Sequence, residues 1–251
     1  MHLDIAEQIL AHPQLDADVR TRLAADWPAF YLGSVAADYQ SIGDVPREVT
    51  HFYPVPMPMD EAVGWEKLQT VHPELTESHL LDAQTAIFIA AYAAHLHYDV
   101  VWYKQILIPY FWLSDQWEGV SKRERFTIHN VLLTYLDGVS LRKLPNSAGT
   151  TLANAASQYE LPFIYTPLLA EWHQMLVTQL APDAPIRTVE IYAERLGITP
   201  DEFAAKLRDD TWLQSQLFNR VPLEAVHAVF AQALDDSVQL INQYLSGTSS
   251  K

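Results

Sequence analysis

Cysteine is absent from this sequence of 251 residues. Its absence excludes disulfide bonds, thiolate nucleophiles and zinc sites built from cysteine. A transition metal bound by this chain must therefore be held by histidine nitrogens and carboxylate oxygens. The chain contains ten histidines, which confines the search for a metal site to these side chains and the acidic residues near them.

Basic residues are also scarce, with 16 Lys and Arg against 31 Asp and Glu and a formal net charge of -15. Binding to a nucleic-acid backbone needs clustered positive charge, so we expect no stable nucleic-acid partner. A small anionic substrate is not excluded, because a bound divalent cation reverses the field in its immediate surroundings.

Long apolar runs are missing too, and no stretch of about eighteen apolar residues is free of charge, as a transmembrane helix would require. The segment Met1 to Ala11 is amphipathic and lacks the basic start and apolar block of a signal peptide. These features predict a soluble, cytoplasmic protein without a transmembrane segment. A leader removed before residue 1 would leave the same sequence.

Alternating strand patterns are nearly absent, whereas helical periodicity recurs along the whole chain and is interrupted by prolines. We predict an all-α fold, a single helical domain over residues 1–251 with roughly ten helices. The segment Ala83 to Ile108 is apolar on nearly every side and is predicted to be the buried central helix. The longest irregular segment is predicted at Ser41 to Met59, and long ordered loops often carry function.

The predicted central helix contains His95, His97 and Asp99. His95 and Asp99 are four residues apart and share a helix face, with Cβ atoms about 6 Å apart, whereas His97 points elsewhere. A buried carboxylate is costly unless a cation or several donors compensate it. Two interpretations of the pair stay open at this point: two metal ligands, or two polar side chains that hydrogen-bond to each other.

Further candidate ligands stand upstream of this helix. Asp38 ends a predicted helix, His51 follows thirteen residues later across the irregular segment, and His2 stands near the N-terminus. Each has an ordinary explanation when taken alone: Asp38 as a surface carboxylate, His51 as a loop cap and His2 as a terminal residue without a ligand role.

Taken together, these residues form an ordered series of short motifs: His2-x-x-Ile5-Ala6, Leu32-Gly33-x4-Asp38, Thr50-His51-Phe52 and His95-x3-Asp99-x2-Trp102. The series resembles the zinc-dependent phospholipase C family, which shares its helical fold with the fungal single-strand nucleases. The resemblance covers residues 1–137 and leaves 138–251, a further helical part of the same predicted domain, unplaced. It implies an all-α fold and a cluster of three zinc ions that activates water for attack on a phosphoester.

Carried over to this chain, the resemblance implies that Asp38, His51, His95 and Asp99 hold one zinc ion. Asp99 would also bridge to a second zinc ion, whose other ligands would be His2 and main-chain atoms at the N-terminus. Asp38 and Asp99 are thereby the predicted catalytic residues, with Asp38 acting as both a metal ligand and a proton acceptor.

Most ligands of the third zinc ion are missing. Only His129 is present, because Leu133 stands where the family has a carboxylate, and Tyr103 to Gln105 contains no histidine. We therefore expect one or two zinc ions and a vacant third site.

Three functions remain compatible with the sequence. The first is a zinc-dependent phosphoester hydrolase acting on a small phosphoester or a phospholipid, with Arg47 and Lys104 as the nearest cations to steady the phosphate. The second is a catalytically degenerate relative that keeps one or two structural metals. The third is a metal-free helical interaction protein.

The aromatic residues of Val101 to Trp112 are most simply explained as part of the hydrophobic core. The alternative is that they line a pocket for an acyl chain or a nucleobase.

Overall fold

The computed structural model describes residues 1–181, 184 and 187–247. The chain is all-helical, with 73% of it in helices, and no strand occurs among the described residues. Thirteen α-helices are found within those ranges: α1 His2–Ala11, α2 Ala17–Ala25, α3 Trp27–Ala36, α4 Arg47–His51, α5 Trp65–Val71, α6 Ala83–Trp102, α7 Lys122–Leu141, α8 Ala148–Ala153, α9 Thr166–Gln179, α10 Arg187–Leu196, α11 Pro200–Arg208, α12 Asp210–Trp212 and α13 Leu223–Ser246.

Short helices of other types complete the described part of the chain. The 3-10 segments are Ala37–Ile42, Pro73–Leu75, Ser78–Leu80 and Asp115–Trp117, and the π-helical segments are Tyr103–Trp112 and Leu213–Phe218. The all-α prediction is thus confirmed, with more and shorter helices than the prolines alone indicated. The predicted irregular segment Ser41 to Met59 is partly helical, because it contains α4 and the end of a 3-10 segment.

The buried centre of the fold is α6. It begins where Asp82 accepts a hydrogen bond from the amide of Thr85, a normal N-cap, and most of its side chains are buried. The α-helix ends at Trp102, earlier than the predicted Ile108, and the chain continues as the π-helical segment that contains Pro109. Proline supplies no amide N–H, so a regular α-helix does not pass through this position undisturbed.

Two helices hold α6 from opposite parts of the chain, since α3 and α13 are its main neighbours. The approach of α3 is close at Gly33, where an added Cβ would overlap the carbonyl oxygen of Phe88. Glycine thereby lets the two backbones meet, which fixes the position of the segment that follows α3 relative to α6.

Residues beyond 137 belong to the same domain as the N-terminal part. The indole of Trp172 in α9 donates to the carbonyl oxygen of Val35 at 2.8 Å. The hydroxyl of Tyr98 in α6 donates to the carbonyl oxygen of Phe230 in α13. No helix in the described ranges combines the length and apolarity needed to cross a bilayer.

Candidate metal centre

Four separate elements bring five polar side chains to one end of α6. His95 and Asp99 lie on α6 itself, Asp38 lies in the 3-10 segment after α3, His51 is the last residue of α4, and His2 is the first residue of α1. The side chains of His51 and His95 are fully buried, whereas Asp38 is 31% exposed. The cluster therefore opens to solvent beside Asp38.

The backbone after His51 is unusual. Phe52 adopts a left-handed conformation with a φ of 61°, which is rare for a residue with a large side chain. The conformation ends α4 directly after His51, and it leaves the imidazole buried against α6 while the chain turns away.

The distances between ligand atoms fit a metal ion better than they fit hydrogen bonds. His51 Nε2 lies 3.4 Å from Asp38 Oδ1, 3.4 Å from His95 Nε2 and 3.3 Å from Asp99 Oδ2. An N–H···O hydrogen bond is usually about 2.9 to 3.0 Å long. Two ligands on a tetrahedral zinc ion, each about 2.0 to 2.1 Å from it, are about 3.3 to 3.4 Å apart.

Both buried histidines are oriented by the outer nitrogen of the ring. His95 Nδ1 donates to the carbonyl oxygen of Ser34 at 2.8 Å, and His51 Nδ1 lies 2.8 Å from the hydroxyl oxygen of Thr50. A carbonyl only accepts, so the proton of His95 sits on Nδ1 and the lone pair on Nε2 faces the cluster. Metal-binding histidines are typically held in this way.

Three of these residues form the better of two candidate sites. Asp38, His51 and His95 offer ligand atoms within 4.8 Å of one another, and so do His2, His95 and Asp99. The rings of His51 and His95 are inclined at 59°, so their in-plane lone pairs can converge. The rings of His2 and His95 are stacked, with centroids 3.9 Å apart and planes at 21°, and lone pairs that lie in two nearly parallel planes at this separation do not meet at one ion.

His2 lies beside the cluster as a neutral imidazole. Its Nε2 is 3.7 Å from Asp99 Oδ1, and burial, with the nearby His95, lowers the pKa of His2 to about 3. Because His95 Nε2 has a single lone pair, only one of the two candidate sites can use it. The α-ammonium of Met1 pairs with Asp137 at 2.7 Å.

The two carboxylates are kept ionised although both are partly withdrawn from solvent. The loss of hydration alone would raise the pKa of Asp38, but its contacts with His95 and His51 outweigh this effect and the pKa falls below its usual range. The effect of burial on Asp99 is likewise outweighed by its contacts with His51, His95 and Arg47, so the pKa of Asp99 is also lowered. Both groups are thus anionic and suited to binding cations.

Arg47 is part of the cluster. It is the first residue of α4, and its Nη2 donates both to Asp99 Oδ2 and, at 2.7 Å, to the hydroxyl of Tyr53. The guanidinium also lies over the Tyr53 ring, 5.0 Å from its centroid. No ion pair joins Lys104 to the cluster among the described residues, so of the two predicted cations only Arg47 is brought there.

His129 does not join the other predicted ligands. Its Nε2 accepts a hydrogen bond of 3.0 Å from the indole of Trp102, and the rings of Phe111 and Phe126 pack around it. The Trp102 contact occupies the nitrogen lone pair that a metal would need. Burial lowers the pKa of His129 to about 4, so it is a neutral histidine in the core formed around α7, α10 and α11.

A largely apolar cavity of about 320 Å³ adjoins the cluster. The Tyr53 ring lines it while the Tyr53 hydroxyl lies 3.4 Å from Asp99 Oδ2. Other walls are formed by Phe52, Val63 and Phe163. The aromatic segment Val101 to Trp112, which the sequence offered as an alternative pocket, does not line this cavity.

Sequence reasoning missed three contributors to the site: the carbonyl of Ser34, the hydroxyl of Thr50 and the ring of Tyr53. Thr50 is the first residue of the Thr-His-Phe motif and Tyr53 directly follows it, so the motif itself was the available signal. Ser34 acts through its backbone, for which side-chain type carries no signal. No family model matches the chain, and neither a curated protein nor a solved structure matches it.

Proposed function

We propose that this protein is a metal-dependent phosphoester hydrolase, with zinc as the metal and Asp38, His51 and His95 as its protein ligands. The observation that carries the proposal is the position of His51 Nε2, which lies 3.4 Å from both Asp38 Oδ1 and His95 Nε2. The ligand atoms of all three residues lie within 4.8 Å of one another, and both imidazoles are turned inward by partners on Nδ1. Three protein ligands with an open fourth position are the pattern of catalytic zinc sites, whereas structural sites are closed by four.

The metal-free interpretation accounts less well for the same distances. If His51 carried a proton on Nε2, that proton would face Asp38, Asp99 and His95 at 3.3 to 3.4 Å, and no partner lies at ordinary hydrogen-bond length. A divalent cation held by Asp38, His51 and His95 would engage both imidazole nitrogens and one carboxylate oxygen at once. The donor set of imidazole and carboxylate is also one that zinc accepts.

In this function the side chains divide the tasks. A bound zinc ion supplies Lewis acidity and lowers the pKa of water. Asp38 would contribute one carboxylate oxygen to the ligand set, and as the most exposed of the three ligands it could accept a proton on the other. Arg47 has five N–H donors, and no hydrogen bond from its Nε or Nη1 is found within the described ranges, so these groups would be available as donors to a phosphate.

The cavity beside Tyr53 supports an ester with an apolar substituent. Tyr53 contacts Arg47 and also lines the cavity, so a phosphate near Arg47 would leave an apolar substituent within reach of the cavity walls at Phe52, Val63 and Phe163. The chain is strongly acidic, and Arg47 together with a bound dication supplies the local positive potential that an anionic ester needs. A small phosphoester and a phospholipid both meet these requirements.

The test measures both the zinc content of the protein and its rate of phosphodiester hydrolysis. Protein purified without added zinc or chelator is expected to contain about one zinc ion per chain and to hydrolyse bis(p-nitrophenyl) phosphate in a chelator-sensitive reaction. Asp38→Asn should lower the rate by about a hundredfold or more. Asp44→Asn is the matched control, because Asp44 is an exposed carboxylate in the following loop, and it should leave the rate unchanged.

The other two functions are outcomes of this same experiment. One tightly bound zinc ion without hydrolysis would identify a structural metal in a catalytically degenerate protein, an outcome favoured by the missing ligands of the third site. A protein that takes up no zinc would be a metal-free helical protein, in which the cluster is a hydrogen-bonded network.

A further inference from the structure

The position of Arg47 bears on how the metal site keeps an open coordination position. Asp99 Oδ2 lies 3.3 Å from His51 Nε2 and 3.9 Å from His95 Nε2, close to the separation expected of a fourth ligand on a tetrahedral ion. Nothing in the distances alone prevents Asp99 from closing the site. The group that engages this oxygen is the Arg47 guanidinium.

Arg47 is held firmly in this place. Its Nη2 is shared between Asp99 and the Tyr53 hydroxyl, and the Tyr53 ring lies beneath the guanidinium. Arg47 and His51 are also the first and last residues of α4, so the helix that delivers a metal ligand delivers the cation that competes for Asp99. Such a contact is stronger than a surface ion pair, because both side chains are mostly buried.

We propose that Arg47 withholds Asp99 from the metal and thereby keeps the fourth coordination position open for water and substrate. The inference rests on the proposed metal site of Asp38, His51 and His95. It departs from the ligand set that the sequence resemblance implies, in which Asp99 is a metal ligand and bridges two ions. Arg47 is a positioning residue in this scheme, because it acts through Asp99.

Zinc affinity in a double-mutant cycle tests the proposal. The variants are Arg47→Gln, Asp99→Asn and the two combined, with dissociation constants measured by competition against a chromogenic zinc chelator. Arg47→Gln should bind zinc about tenfold more tightly than the wild type, because Asp99 becomes a fourth ligand. The same substitution made in the Asp99→Asn variant should change affinity less than about threefold, which separates coordination by Asp99 from the removal of a nearby positive charge.

A second measurement reports the open position directly. Cobalt-substituted wild-type protein should change its visible absorption when thiocyanate is added, because the anion enters the open position. Cobalt-substituted Arg47→Gln should not respond. Arg47→Lys is the charge-preserving control: a lysine still pairs with Asp99, so the response to thiocyanate should persist.

Several results would overturn the proposal. Equal tightening by Arg47→Gln in both backgrounds would mean that Arg47 acts only through its charge. If Arg47→Gln does not fold, cobalt-substituted Asp99→Asn decides: loss of a ligand would change the visible absorption of the cobalt ion, whereas replacement of a residue that is not a ligand would leave both the absorption and the response to thiocyanate in place. A wild-type protein that binds no zinc would overturn the proposed function as well, whereas zinc binding that depends on Asp99 would overturn only this inference.

Discussion

Removal of His95 should abolish the stabilisation of the fold by zinc. His95 is shared by both candidate sites, and its ring is fully buried with Nε2 facing the other ligands. His97, two residues along α6, lies outside the cluster, with its Nε2 3.8 Å from Asp236 of α13. The substitutions His95→Gln and His97→Gln therefore form a matched pair on one helix.

The expected magnitude follows from linkage between binding and folding. A ligand that binds only the folded chain, present at a hundred times its dissociation constant, stabilises the fold by about 2.7 kcal/mol. For a domain of this size 1 kcal/mol corresponds to about 2 to 4 °C, so saturating zinc should raise the Tm of the wild type by about 5 to 10 °C relative to chelator. Calorimetry or circular dichroism melting measures both values.

The comparison is made within each variant. His95→Gln also removes the donor to the Ser34 carbonyl, which costs about 1 to 3 kcal/mol with or without metal, so its Tm in chelator should fall as well. The difference between zinc and chelator should vanish in His95→Gln and persist in His97→Gln. A full zinc-dependent shift in His95→Gln would refute the assignment of His95 as a ligand.

Two further predictions concern the core. Burial lowers the pKa of His129 to about 4, so between pH 6.5 and 4 the folded chain binds fewer protons than the unfolded chain, and its stability falls as the pH falls. The variant His129→Gln retains an acceptor for the Trp102 indole, and between pH 7.5 and 5 its unfolding free energy, measured with urea, should decrease by about 2 kcal/mol less than that of the wild type. Identical pH dependence of the two proteins would contradict this. Gly33→Ala should lower the unfolding free energy by about 1 to 3 kcal/mol, because its Cβ would meet the Phe88 carbonyl. Gly138→Ala is the control, because no heavy atom lies closer than 3.7 Å to the new Cβ, and it should raise the unfolding free energy by about 0.5 to 1 kcal/mol. A decrease of similar size in the unfolding free energy of both variants would rule out the steric explanation.

The sequence by itself determined the class of the fold and its centre. Helical periodicity without strand alternation led to an all-α prediction. The apolar residues on nearly every side of the segment Ala83 to Ile108 identified the central helix. Both patterns could be recognised because they are local consequences of helix geometry. Its C-terminal end was placed too far along the chain. The change to π-helix before Pro109 depends on how the surrounding segments pack.

The candidate ligands could also be named from the sequence, because the absence of cysteine leaves only histidines and carboxylates, and because the order of the His and Asp motifs resembles that of a zinc-dependent family. What the spacing does not contain is how separate elements meet. Asp38 reaches His95 because α3 and the 3-10 segment after it pack on α6, and His51 reaches it because α4 packs on that 3-10 segment. His129 is kept away by its contact with Trp102.

Only the tertiary structure decided which atoms face one another within the cluster. It turned the Nδ1 atoms of His51 and His95 outward and their Nε2 atoms inward, stacked His2 on His95 in an orientation unsuited to a shared ion, and set Arg47 against Asp99. Arg47 and Asp99 are 52 residues apart in sequence, and no local pattern links them. Their contact arises because α4 packs on the 3-10 segment Ala37–Ile42, which itself packs on α6 after α3, and this arrangement sets Arg47 beside Asp99.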